Sequence, residues 1–61
     1  MRGVQLRTLT FLHRWYEELL CLTEDTVDLG ATDWADALCH ATTRVRDLYS
    51  SLEVTLLLAL N

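Results

Sequence analysis

The side chains able to hold a metal or a reactive intermediate are few: His13, Cys21, Cys39 and His40. Structural zinc sites bring their ligands in close pairs such as C-x2-C or H-x3-H. Cys39 and His40 are adjacent, so on a helix they point about 100° apart. No metal site is expected. Glu17 and Glu18 are also neighbours that diverge on a helix, and no nucleophile stands at a recognisable spacing from a base. Two short helices do not enclose a pocket of several hundred Å³. The expectation is a non-enzymatic chain with no cofactor. Cys21 and Cys39 lie at similar distances from the middle of the sequence. Across a hairpin they can face each other, as two buried thiols or as an incidental disulfide, and the sequence does not decide whether they pair.

Charge is the second chemical resource. Five arginines, no lysine and nine carboxylates give a formal charge of −4. Between Trp15 and Thr43 there is no arginine or lysine, and seven of the nine acids fall there. Folded back on itself, the chain becomes a dipolar rod with an acidic tip. Glu24, Asp25 and Asp28 sit where a helix C-terminus disfavours anions, so they are candidate contacts for a basic protein surface. Further down the rod, Arg14, Arg44 and Arg46 form a belt, the candidate RNA contact. Their number is small for a phosphate-binding surface.

The elements that position these groups are helical. The 61 residues include no proline, two glycines and 14 leucines, which leaves too few turn signals for a strand-rich fold. A first helix is predicted over 4–22, a connection over 23–31 and a second helix over 33–60. Gly30 ends or redirects the chain, and Thr32 or Asp33 caps the second helix.

On the second helix, Trp34, Leu38, Ala41, Val45, Leu48, Tyr49, Leu52 and Leu56 fall on one stripe. On the first, Leu6, Leu9, Leu12, Tyr16, Leu19 and Leu20 form an apolar side that Val4, Phe11, Trp15 and Leu22 widen to roughly 220°. A hairpin uses about half of such an arc. The predicted core is Leu9, Leu12, Tyr16, Leu19, Leu38, Val45, Leu48 and Leu52. Phe11, Trp15 and Leu22 remain for a partner, as do Leu57 and Leu58 in the leucine-rich end of helix two.

A helical hairpin of this length, with the Leu48-Tyr49 pair and an alternating core on helix two, resembles the Rop family of plasmid RNA-binding regulators. The resemblance implies a four-helix bundle and an RNA-binding face on helix one, where this chain instead carries leucines and aromatics.

No stretch approaches the roughly 20 apolar residues needed to span a bilayer. Lysine and isoleucine are absent and asparagine occurs once, a bias of a GC-rich coding sequence. Two thiols and no secretory signal point to a reducing cytoplasm. The expected protein is therefore an all-α helical hairpin that self-associates, a dimer being favoured, into a four-helix bundle. It is expected to regulate or inhibit a larger protein. Compact acidic helical proteins of phage and mobile elements are the analogy, and a pure oligomerisation module is the third possibility.

Overall fold

A computed structural model describes residues 2–60 as two helices, α1 (Arg2–Asp28) and α2 (Thr32–Leu60), packed antiparallel. The result is an all-α hairpin, a rod of 47 × 15 × 11 Å.

α1 runs six residues beyond the predicted end, so the predicted connection over 23–31 shrinks to the three residues 29–31. Residues 23–28 have weak helix propensity and three carboxylates at the unfavourable end of the dipole. Two features outweigh that. Thr23 Oγ1 donates to the Leu19 carbonyl at 2.7 Å and Thr26 Oγ1 to the Thr23 carbonyl at 2.8 Å, so neither hydroxyl competes for the backbone. Both threonines are also part-buried on the side that faces α2.

The reversal is a Schellman turn. The Ala31 N–H donates to the Thr26 carbonyl at 2.9 Å, and the Gly30 N–H to Val27 at 3.0 Å. Gly30 carries φ of +77°, the left-handed conformation glycine adopts without strain. The cap of α2 differs from the expectation. The Ala31 carbonyl accepts from the Ala35 N–H at 2.9 Å, which makes Ala31 the capping residue and puts Thr32 and Asp33 inside the first turn. Alanine offers no side-chain acceptor there, whereas Asp33 is well placed against the dipole. Ala31→Asp is therefore expected to stabilise the hairpin by about 1 kcal/mol and Gly30→Ala to destabilise it by about 1–2 kcal/mol. Urea unfolding followed by circular dichroism measures both.

Apart from Ala41 at the seam's edge, the helical residues turned inward follow an alternation of three and four. On α1 they are Gln5, Leu9, Leu12, Tyr16, Leu19, Thr23 and Thr26; on α2 they are Ala35, Leu38, Thr42, Val45, Tyr49, Leu52 and Leu56. This is a two-stranded antiparallel heptad seam. Leu12, Leu19 and Val45 form its centre, with Tyr16, Leu38, Ala41, Tyr49 and Leu52 against them.

The predicted core holds except for Leu48, which is 49% exposed. Trp34, placed on the same predicted stripe, is 70% exposed. Each lies one residue before or three after a seam position, so the helix turns it to the flank. Small residues occupy the seam beside them. Ala35 and Thr42 are both buried, and Thr42 Oγ1 donates to the Leu38 carbonyl at 2.7 Å, which leaves its methyl group free to pack. Even so, among the described residues no side chain is less than 2% exposed. The core is a single thin seam.

Candidate interaction surface

The seam divides the rod into two flanks of different chemistry. On one, Leu6, Thr10, His13, Tyr49, Glu53 and Leu57 line a shallow groove that continues past Tyr16 and Arg46 to Leu20, Cys39 and Thr43. His13 stands over Tyr49 with ring centroids 6.2 Å apart, and its Nδ1 lies 3.6 Å from Glu17 Oε1. Carboxylate, imidazole, guanidinium, thiol and hydroxyl groups all open into this groove. It is a wet flank.

The other flank carries more of the large apolar side chains. On α1 the positions turned away from the groove are Val4, Thr8, Phe11, Trp15, Glu18 and Leu22, and on α2 they are Trp34, Ala41, Leu48 and Thr55. Val4 is 53% exposed, Phe11 61%, Trp15 46% and Leu22 50%, with Trp34 and Leu48 across from them on α2. Phe11 and Trp15 lie one helical turn apart, and their rings meet at 5.8 Å between centroids, tilted by 47°. That contact orders an aromatic ridge on the surface without covering it. The structure thus gathers three of the predicted partner-binding residues, Phe11, Trp15 and Leu22, and adds Trp34 and Leu48, which sequence reasoning had assigned to the hairpin seam. Their large side chains at a spacing of fourteen, outside the best three-four alternation, were the available signal.

The remaining predicted contacts lie elsewhere. Glu24, Asp25 and Asp28 are exposed in the last two turns of α1 and share the turn end of the rod with Asp33. Among the described residues none of these four has an ion-pair partner within 4.0 Å. Leu57 and Leu58, 55% and 68% exposed, stand at the opposite, open end with Val4, Leu6 and Leu60.

The arginines of the proposed belt share a level on the rod but not a face. Arg14 lies beside Glu17, Glu18 and Cys21 on the back of α1. Arg46 opens into the wet groove and approaches Asp47 at 3.8 Å. Arg44, two residues earlier, points about 200° away from it. The structure does not bring the three together.

The cysteines do not meet either. Both are exposed and unpaired. Cys39 edges the wet groove, whereas Cys21 follows Leu19 by two residues and so is carried about 200° around α1 from the seam. Both thiols of the folded chain are expected to react with a disulfide reagent at rates within about threefold of the unfolded chain, since neither is shielded. Absorbance of the released thiolate measures this.

Comparison with protein-family models, with curated proteins and with solved structures found no match. Among the described residues no helix is long and apolar enough to cross a membrane, and no three His, Cys, Asp or Glu side chains converge as a metal site would require.

Proposed function

We propose that this chain is a small, non-enzymatic helical interaction protein that oligomerises and that regulates or inhibits a larger protein partner, acting in the cytoplasm. The observation that carries this reading is the apolar flank of Phe11, Trp15, Leu22, Trp34 and Leu48, left in water by a hairpin whose own seam is already filled. Scattered apolar residues on a surface are ordinary, but five large aromatic and leucine side chains gathered on one flank mark an interface. Tryptophan and other aromatics are also the side chains that anchor interfaces. The acidic tip supports the second half of the reading. Glu24, Asp25, Asp28 and Asp33 form a compact anionic end that a basic protein surface would neutralise.

Affinity capture from the native host, with the solution mass of the purified chain measured alongside, tests the proposal. A basic protein recovered in stoichiometric amount by the parent, and lost on reversing Glu24, Asp25 and Asp28 to lysine, is the expected result. A dilute chain that is monomeric, stably folded and without a companion overturns it.

A further inference from the structure

We propose that the apolar flank is covered by a second copy of this chain lying antiparallel to the first, across a two-fold axis that passes beside Trp15. The inference rests on the interaction reading above and adds the occupant, its direction and its register.

Area is the first reason. A compact folded protein of 7.0 kDa exposes roughly 4,000 Å² by the scaling of surface with mass. This rod exposes 4938 Å². The excess, about 900 Å², is close to the roughly 800 Å² that one partner loses in an interface of standard size. One side of the rod, 47 × 15 Å, supplies a footprint of about 700 Å² between backbone atoms alone. A single second hairpin fits that face.

Charge decides the direction. The half of the rod nearest the turn, between Trp15 and Thr43, carries seven carboxylates and no arginine. On the open side of Trp15 stand Arg2, Arg7 and Arg14 with Glu53, a net charge of +2, while Arg44, Arg46 and Asp47 lie level with the middle of the rod. Two copies laid parallel would bring the two acidic halves alongside each other, with Glu18 and Asp25 the carboxylates on the flank side of α1. Laid antiparallel, each acidic half lies along the basic half of the other. Like-charge juxtaposition is what suppresses wrong orientations at protein interfaces.

Periodicity fixes the register. Trp15 is the midpoint of α1, which spans Arg2–Asp28. A two-fold interface presents the same patch on both sides, so a residue on the axis meets its own copy. Thr8, Trp15 and Leu22 are spaced by seven and so share one line along α1. With Trp15 on the axis, Thr8 of one copy comes opposite Leu22 of the other, about 10.5 Å from the axis on either side. The exposed Trp34 near one end likewise comes level with Val4.

The test uses the full chain with Cys21→Ser and Cys39→Ser, both exposed positions, as background. Thr8→Cys and Leu22→Cys are made separately, mixed, and oxidised at low micromolar concentration with the mass followed. An antiparallel dimer is expected to give mainly the mixed disulfide, whereas a parallel one gives the two like-with-like products. Raising the salt concentration is expected to weaken the antiparallel dimer and would strengthen a parallel one. Trp15→Ser is expected to raise the dissociation constant by at least about 30-fold, with helical circular dichroism retained at high concentration. Should Trp15→Ser lose its helix, Phe11→Ser serves in its place. Like-with-like disulfides overturn the proposed orientation but leave the interaction reading standing. A monomer up to about 100 μM, far above the dissociation constants of standard interfaces, overturns the second copy as occupant. The interaction reading then falls only if capture from the host also fails.

Discussion

Leu12→Ala is expected to unfold the isolated hairpin at room temperature. Leu12 is the least exposed apolar side chain of the central cluster, at 5%, and it packs with Leu19 and Val45. Leucine-to-alanine changes at such sites cost about 2–5 kcal/mol, part transfer and part cavity. A chain of this size rarely has more than about 3–5 kcal/mol to lose. Neighbouring side chains have little capacity to collapse into the gap, because the seam is one residue deep on each helix. Helical circular dichroism in a urea series reads the effect. A loss below about 1 kcal/mol would mean that the thin seam contributes little, and that stability resides instead in contacts the lone hairpin does not make.

Leu48→Ser combined with Trp15→Ser is expected to abolish the dependence of stability on protein concentration. Both residues are about half exposed, and neither belongs to the seam cluster. In a lone hairpin such changes would alter unfolding by about 1 kcal/mol each, and equally at every protein concentration. If another polypeptide covers the flank, each removes an anchor worth about 2 kcal/mol or more at the interface. For the parent chain, each tenfold increase in concentration should then add about 1.4 kcal/mol per mole of dimer, which the double variant forfeits. Thermal unfolding at several concentrations distinguishes the cases. A parent midpoint independent of concentration would contradict self-association, and a variant indistinguishable from the parent would remove the flank from any role.

The two substitutions separate contributions that the linear pattern runs together. Leu12 and Leu48 are both leucines on apolar stripes, yet one fills the contact between α1 and α2 and the other faces outward. Phe11 and Trp15 illustrate the same division. Their ring contact is made within one helix, so it does not tie α1 to α2. What they offer is a rigid apolar ridge, preorganised for whatever covers it.

The amino-acid sequence by itself determined the fold class. Without proline, with Gly30 as a break near the centre and with leucine recurring at helical spacing, the chain had little choice but two helices and a reversal. It also made visible that α1 carries more apolar surface than one neighbour can hide, and that the acids gather toward the turn. Leu12, Leu19 and Val45 were legible as core because each is a large apolar residue on a helical stripe.

Tertiary packing decided which stripe became the seam. Trp34 and Leu48 outrank Ala35 and Thr42 in hydrophobicity, and periodicity read from apolar character favours the larger pair. Two helices in close contact instead select the seven-residue line that interdigitates best with Leu9, Leu12, Tyr16 and Leu19, and small side chains at Ala35 and Thr42 permit it. The same packing carried α1 on to Asp28, because Thr23 and Thr26 continue the seam and bond their hydroxyls within the helix. It also turned Cys21 and Arg14 to the back of α1, which separated each from the residues that sequence proximity to the turn had paired them with. A helix fixes the angle between its own residues; only contact with another helix decides which angle faces inward.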